Sequence, residues 1–360
     1  MWPGLLLSLS SVLESPQCAS YQCASTASPP AFLNSATCVF YNAPNNTYLS
    51  GSCKDHYMKY CDLQYMTNST CSLMPEPVPL QSWPGEACLN DTSCLAGNCL
   101  GGVCYGQGFN ETCWNDFDCS PGLFCNNTVC IFALSTNDPI DVCTSDFDCL
   151  NNAGCDNNIC VPYMSLEAGT AVQTCSDFTN LLCQSTLCLT DSKSGASFCL
   201  DALTAKASGV VTCSSSQTCV SQTDASWKGT QPGVLYSACT CGYNPTGTSY
   251  CAPFPGDLAG QAYLTSLKAW VTSRAILRCN TRRRFNQECM QLHWDAFSFN
   301  QFTYAELNYN YFPALQNMDT CTKSLFLLDF YQAQARVTNG TQPSGAGMVA
   351  LGVLVWLVGS

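Results

Sequence analysis

Thirty cysteines in 360 residues are the groups in this chain that could do chemistry. A thiol can ligate a metal, attack a substrate or pair as a disulfide, and spacing separates the three. Zinc ribbons and knuckles place cysteines two to four residues apart so that both thiolates reach one ion. No two cysteines here are spaced Cys-x-x-Cys, and the chain has only two histidines, His56 and His293. The count is even, as a complete disulfide set requires. For catalysis, His56 sits among Lys54, Asp55 and Lys59 in a charged surface segment, and His293 beside Trp294 reads as a helix-surface or packing residue. No nucleophile-and-base pair, phosphate-binding glycine loop or metal-ligand helix accompanies them. The expectation is a protein that is not an enzyme, with no catalytic residue, metal or cofactor.

The cysteines are not scattered. One pattern occurs three times, at Cys88, Cys94, Cys99 and Cys104, at Cys113, Cys119, Cys125 and Cys130, and at Cys143, Cys149, Cys155 and Cys160. The intervals hold five residues, then four or five, then four. Each copy closes on a polar turn: Leu100-Gly101-Gly102-Val103, Asn126-Asn127-Thr128-Val129 and Asp156-Asn157-Asn158-Ile159. Gly, Asn and Asp tolerate the positive φ of tight hairpin turns, and the β-branched residue before each last cysteine suits a strand. Each copy should therefore end in a small hairpin. Ahead of the second cysteine stand Asp91-Thr92-Ser93, Asp116-Phe117-Asp118 and Asp146-Phe147-Asp148. Their direct reading is the satisfaction of backbone N–H groups in a turn. Paired carboxylates also suit calcium, but no further acidic residues complete a coordination set. Four cysteines allow three pairings, and spacing does not choose among them.

Gly85-Glu86-Ala87-Cys88, Gly97-Asn98-Cys99, Asp116-Phe117-Asp118-Cys119 and the closing hairpins carry a resemblance. The repeat resembles the Dickkopf amino-terminal-like cysteine-rich repeats of protist and fungal surface proteins, over about residues 85–165 and loosely to Cys199. The resemblance implies an extracellular location and interlaced bridges, first to third and second to fourth. It does not imply Wnt signalling, because nothing here matches the colipase-like second domain of the animal ligands.

Composition agrees with an oxidising compartment. Cysteine is about 8% of the chain, near the level of a disulfide scaffold, while charged residues are only 11% against roughly 25% in ordinary soluble domains. Glycans could supply the missing polarity. Asn-x-Ser/Thr sequons occur at Asn45, Asn68, Asn90, Asn110, Asn126 and Asn339, the first five among the cysteine modules. Thirty reduced cysteines would be an implausible cytosolic load. The net charge of −12 argues against nucleic-acid partners and against a polybasic membrane patch.

In chain order, 1–15 reads as a weak signal peptide around Leu5-Leu6-Leu7, lacking a basic start and a clean cleavage site; a truncated start is the alternative. Residues 16–72 carry six cysteines, enough to close among themselves. A proline-rich linker covers 73–87, the three repeats 88–165, and a divergent region 166–256, where Cys175, Cys183, Cys188 and Cys199 look like a stretched fourth copy. Residues 257–338 form a helical segment, with Tyr263, Leu267, Trp270, Val271 and Leu277 at helical spacing, then Phe285, Cys289, Leu292 and Ala296. Asp319 could cap another helix. Arg282-Arg283-Arg284 reads first as a solvated turn, then as a processing site, then as a patch for acidic glycans or lipid headgroups. Residues 339–360 read as an anchor-attachment signal, with Asn339 or Gly340 as the lipid attachment residue and a short single-pass anchor as the alternative. The apolar run Met348–Val358 is too short for a spanning helix of about 20 residues.

Parity adds one expectation. Five cysteines at 213–251 and three beyond 278 are both odd groups, so at least one bridge should join them. The fold class is therefore small disulfide-rich modules in tandem, followed by a small helical C-terminal segment. The expected role is that of a glycosylated cell-surface protein with a glycosylphosphatidylinositol anchor, acting in recognition, adhesion or a surface coat toward a protein or glycan partner. The alternative is a secreted cysteine-rich ligand or protease inhibitor, released by cleavage at the arginine cluster.

Overall fold

A computed structural model describes residues 81–136, 142–191, 194–201, 210–215, 218–222, 234–253 and 256–311. It also describes shorter pieces: 18, 20–23, 37–42, 45–52, 59–61, 71–73, 316–318 and 334–337. The architecture is the expected one, a series of short antiparallel hairpins stapled by disulfides, with helices gathered toward the C-terminus.

Each repeat ends in a two-stranded hairpin with its third and fourth cysteines directly opposite, Cys99 to Cys104, Cys125 to Cys130 and Cys155 to Cys160. Both turn residues have positive φ in every copy: Gly101 and Gly102, Asn127 and Thr128, Asn157 and Asn158. That is the type I′ turn, whose twist matches the flanking strands. The two opposed cysteines do not bond to each other. Each instead pairs with an upstream cysteine: Cys88–Cys99 with Cys94–Cys104, Cys113–Cys125 with Cys119–Cys130, Cys143–Cys155 with Cys149–Cys160. This is the first-to-third, second-to-fourth pairing that the resemblance implied.

The pattern continues past the three copies. Cys175–Cys188 and Cys183–Cys199 repeat it in a fourth, and Cys213–Cys239 and Cys219–Cys251 in a fifth. The copies are chained by parallel backbone bridges, Ser82 to Cys94, Gln107 to Cys119, Leu134 to Cys149 and Leu166 to Cys183. In these four copies the second cysteine thus pairs with the segment that leads into its own copy. Within a copy the interior is little more than half-cystines: Cys113, Cys119 and Cys130 with Leu123, or Cys143, Cys149 and Cys160 with Ala153. So small a core leaves stability to the bridges, each closing a 10- to 16-residue loop in copies one to four and contributing about 2–4 kcal/mol.

The C-terminal part is built differently. Helix α1 (Asp177–Leu182) lies in the fourth copy, and α2 (Leu258–Val271), α3 (Gln287–His293) and α4 (Ala296–Tyr311) follow the fifth. Tyr263, Leu267, Trp270 and Val271 of α2 are buried, as their spacing predicts, whereas Leu277 lies in a 3-10 turn and is partly exposed. They join Ile276, Met290, Phe299, Phe302 and Ala305 with Tyr163, Met164, Leu181 and Leu182 of copies three and four in one apolar cluster. Helix α4 escaped the periodicity reading because its polar and aromatic residues alternate with little segregation. Its Phe299, Phe302 and Ala305 nonetheless share a buried face.

Two cysteine expectations are corrected. Cys18 bonds Cys241, 223 residues away, so the first six cysteines do not close among themselves. Cys279 bonds Cys289, and all five cysteines at 213–251 are engaged elsewhere, so no bridge joins that region to the helical segment. The odd count resolves otherwise: four of the five cysteines form a fifth module across the 19-residue interval between Cys219 and Cys239, and Cys241 is the one left over for Cys18. It is held beside Cys18 by Tyr21, whose N–H donates to the Asn244 carbonyl (3.0 Å) and whose ring meets Tyr243 edge-on (5.5 Å). Cys321, His56, Asn68, Asp319, Asn339 and Gly340 lie outside the described residues.

Candidate functional site: an arginine triplet across three repeats

The aspartates of the repeats hold backbone. Asp91, Asp116 and Asp146 each use Oδ1 to accept from the N–H of the third cysteine of their copy, Cys99 (2.8 Å), Cys125 (3.0 Å) and Cys155 (2.7 Å). Asp118 and Asp148 complete capping boxes, Asp118 accepting from Trp114 and Asn115 N–H, Asp148 from Thr144 and Ser145 N–H. The turn reading of these residues holds. In copies one, two, three and five, three cysteine sulfurs approach within 4.8 Å of one another. All of them are bonded in disulfides, and no free cysteine is present among the described residues.

The arginine cluster is not a solvated turn. It sits in the ten-residue loop closed by Cys279–Cys289, and each guanidinium enters a different copy. Arg283 pairs with Glu86 of copy one (3.1 Å) and lies over Trp83 (5.7 Å). Arg282 pairs with Asp116 of copy two (2.7 Å) and lies 3.7 Å over Phe147 of copy three. Arg284, 1% exposed, donates to the carbonyls of Asp146 (2.8 Å) and Ala153 (2.7 Å) and to the Tyr163 hydroxyl (3.0 Å), all beyond copy two, and to Thr281 O (2.8 Å). Only a planar five-donor group can serve carbonyls in that many directions. Burial pushes the Asp146 carboxyl above its ordinary range, and the Arg284 charge partly offsets the rise. Burial pushes the Tyr163 hydroxyl up to about 12.

Neutral groups extend the seam. Asn280 Nδ2 donates to the carbonyls of Asp116 (2.8 Å) and Cys119 (3.0 Å). Asn151 reciprocates from copy three, donating to Ile276 O (2.8 Å) and Cys279 O (2.7 Å). Trp270 donates from its indole to Arg284 O (2.8 Å), which couples the aromatic core to the triplet. His293 Nε2–H donates to Gly85 O (2.7 Å), and burial lowers its pKa. His293 is thus a packing residue. Gly85 has φ +93°, and a Cβ there would meet Arg278 O at 2.5 Å, so copy one accepts the helical segment only with glycine at this point.

Trp83, Glu86, Asn151, Asn280 and His293 were not foreseen as one surface. The signal available was three arginines inside a ten-residue span bounded by cysteines, since a loop so constrained must aim its side chains somewhere fixed. The three sequons of the repeats are all exposed, at Asn90, Asn110 and Asn126, as is Asn45 before them. Asn90 caps its 3-10 turn through Oδ1, which accepts from Thr92 Oγ1 and from Ser93 N–H. A glycan on Nδ2 would leave that acceptor in place.

No protein-family model matches this chain, and no curated protein or solved structure matches it. The tandem hairpins are cysteine-rich repeats in their own right, and the comparisons add nothing to the Dickkopf-like resemblance. This is a disulfide-rich repeat protein of the extracellular or secretory compartment. Twelve bridges among the described residues decide that, because such a set persists only where thiols are not kept reduced.

Proposed function

We propose that the chain is a glycosylated, lipid-anchored cell-surface protein that presents its stapled repeats for recognition, adhesion or coat formation. It would act by binding a protein or glycan and not by catalysis. The observation that carries this reading is the build of the array: five modules with one bridge pattern, the first four each holding its lead-in strand by a parallel backbone bridge, braced by a triplet of arginines. A platform of this kind holds its turn tips in fixed positions, and those tips are where binding residues can vary without disturbing the staples. Further support comes from copy two. Thr128 has φ +73°, an unfavourable region for a β-branched residue, where copies one and three carry Gly102 and Asn158. Thr128 completes the Asn126 sequon, so a modification site accounts for a residue the turn itself disfavours.

Release by cleavage at Arg282–Arg284 does not fit the geometry. A processing protease needs an extended, accessible segment, and this one is coiled in a 3-10 turn with Arg284 buried. The anchor rests on the sequence from Asn339 onward. Intact cells treated with a phosphatidylinositol-specific phospholipase should release the protein to the supernatant. Retention, with no lipid remnant on the C-terminal peptide, would remove the anchor and leave the repeat platform standing.

A further inference from the structure

Copy two departs from its sisters at four positions that meet on one face. Asn110 N–H donates to the carbonyl of the fourth cysteine, Cys130, as Gly85 does to Cys104 and Gly169 to Cys199. These three residues share positive φ, at +66°, +93° and +81°. The position favours glycine, and only copy two of the three fills it with a side chain. Two residues on, Thr112 pairs with Val129 where Ala87 pairs with Val103 and Ala171 with Phe198. Asn110 and Thr112 are the two residues that make a sequon.

The other two departures are aromatic. Phe109 takes the place of Pro84, and Phe132 that of Gly106, a residue whose added Cβ would meet the Pro84 ring at 2.9 Å. The two phenylalanines stack, with centroids 4.7 Å apart, yet are 51% and 65% exposed. In copy one the same face is covered: His293 and Cys289 Sγ both reach Gly85 O, and Arg278 O closes over Gly85. In copy two nothing among the described residues covers it. The Gly108–Glu111 turn is held from both ends, Glu111 N–H donating to Gly108 O and Gly108 N–H to the Glu111 carboxylate. It therefore presents Phe109 and Asn110 side by side in a fixed geometry.

We infer that the Phe109–Phe132 pair is the seat of the N-glycan carried by Asn110, which covers on copy two the face that the helical segment covers on copy one. A pyranose turns an apolar C–H face to an aromatic ring while its hydroxyls remain in water. Such a sugar removes exposed ring area from solvent without demanding a protein partner. The inference rests on the secretory reading above and names what one sequon does.

The test uses the full chain secreted from a eukaryotic host, with glycopeptide mapping of each sequon and proton spectra of the first N-acetylglucosamine on Asn110. Occupancy of Asn110 is expected, with sugar-ring protons shifted upfield by the phenyl rings. Phe132→Ala should abolish the shift. Thr112→Ala, which installs the residue of the sister copies, should keep the fold and raise binding of an apolar dye. Trimming to a single N-acetylglucosamine should leave dye binding low. An occupied Asn110 with unshifted sugar protons would overturn the seat. An empty Asn110 beside occupied Asn90 or Asn126 would overturn it too, while leaving the secretory reading intact. Empty sequons throughout, with free thiols, would overturn both.

Discussion

Arg284 concentrates the chemistry of the seam. Its charge is held by three carbonyls and a hydroxyl at 2.7–3.0 Å, so removing the guanidinium strands the Asp146 and Ala153 carbonyls inside the fold. Arg284→Met fills the volume without those bonds and should lower stability by about 3–5 kcal/mol, read by denaturant titration. Arg284→Lys should recover little, because a point ammonium cannot address carbonyls on separate elements. The same burial predicts that trypsin leaves the native 282–284 segment intact and cuts it promptly after reduction and alkylation. Early cutting of the native protein there would mean that the seam opens. His293 gives a pH signature. Its folded pKa is lowered by burial, so its contribution is present above about pH 6.5 and is lost as pH falls through the depressed folded value. Asp146 and Glu306, raised by burial, act in the opposite sense: their contributions are present below the ordinary carboxyl range and lost as pH rises through the raised values. The His293 part is therefore isolated by difference. Between pH 7.5 and 5 the wild type should lose more melting temperature than His293→Gln.

At the scale of an element, the repeat hairpins test how far turn chemistry governs the fold. Thr128→Gly relieves an αL threonine and should stabilise unglycosylated protein by about 1 kcal/mol, seen as a raised melting temperature. Gly101→Asn should be close to neutral, since Asn127 and Asn157 adopt the same turn at φ 48° and 49°, and nothing lies within 4 Å of a Cβ at Gly101. Gly97→Ala is the contrast: its Cβ would fall 1.8 Å from Tyr105 O, so the hairpin of copy one must distort, and secretion yield should drop. These hairpins were legible because Gly, Asn and a β-branched neighbour between two cysteines admit one local solution. The role of Asp118 and Asp148 was legible for the same reason, since a carboxylate three residues into a turn finds N–H groups nearby, whereas Asp91, Asp116 and Asp146 reach the third cysteine eight or nine residues on. Helix α4 was not, because its burial comes from packing on α2 and not from segregation of its own residues.

Across the molecule, the repeats and the helices stabilise each other by different means. The copies depend on bridges, while α2, α3 and α4 bury Leu267, Trp270, Ile276 and Met290, a true apolar interior that extends into copies three and four. Trp270→Ala should cost about 3–5 kcal/mol and loosen the arginine triplet with it, because the indole holds the Arg284 carbonyl. Cys18–Cys241 adds a further long-range closure. Peptide mapping without reduction should recover that bridge, and the double variant Cys18→Ser, Cys241→Ser should free the amino-terminal strands while copies one to four keep their protection from proteolysis.

The oxidising compartment, the count of repeats in the central array and the hairpin at the end of each were set by the chain alone, because thiol spacing and turn residues act within a dozen positions. The partner of Cys18, the fifth module and the destination of Arg282, Arg283 and Arg284 were decided only in three dimensions. The fifth module closes over 26 and 32 residues, the cited arginine contacts and the Cys18 bridge over 121 to 223, and nothing local distinguishes an arginine bound for water from one bound for a neighbour's carbonyl. The choice rests on the array, which presents Glu86, Asp116 and the Asp146 carbonyl to the Cys279–Cys289 loop.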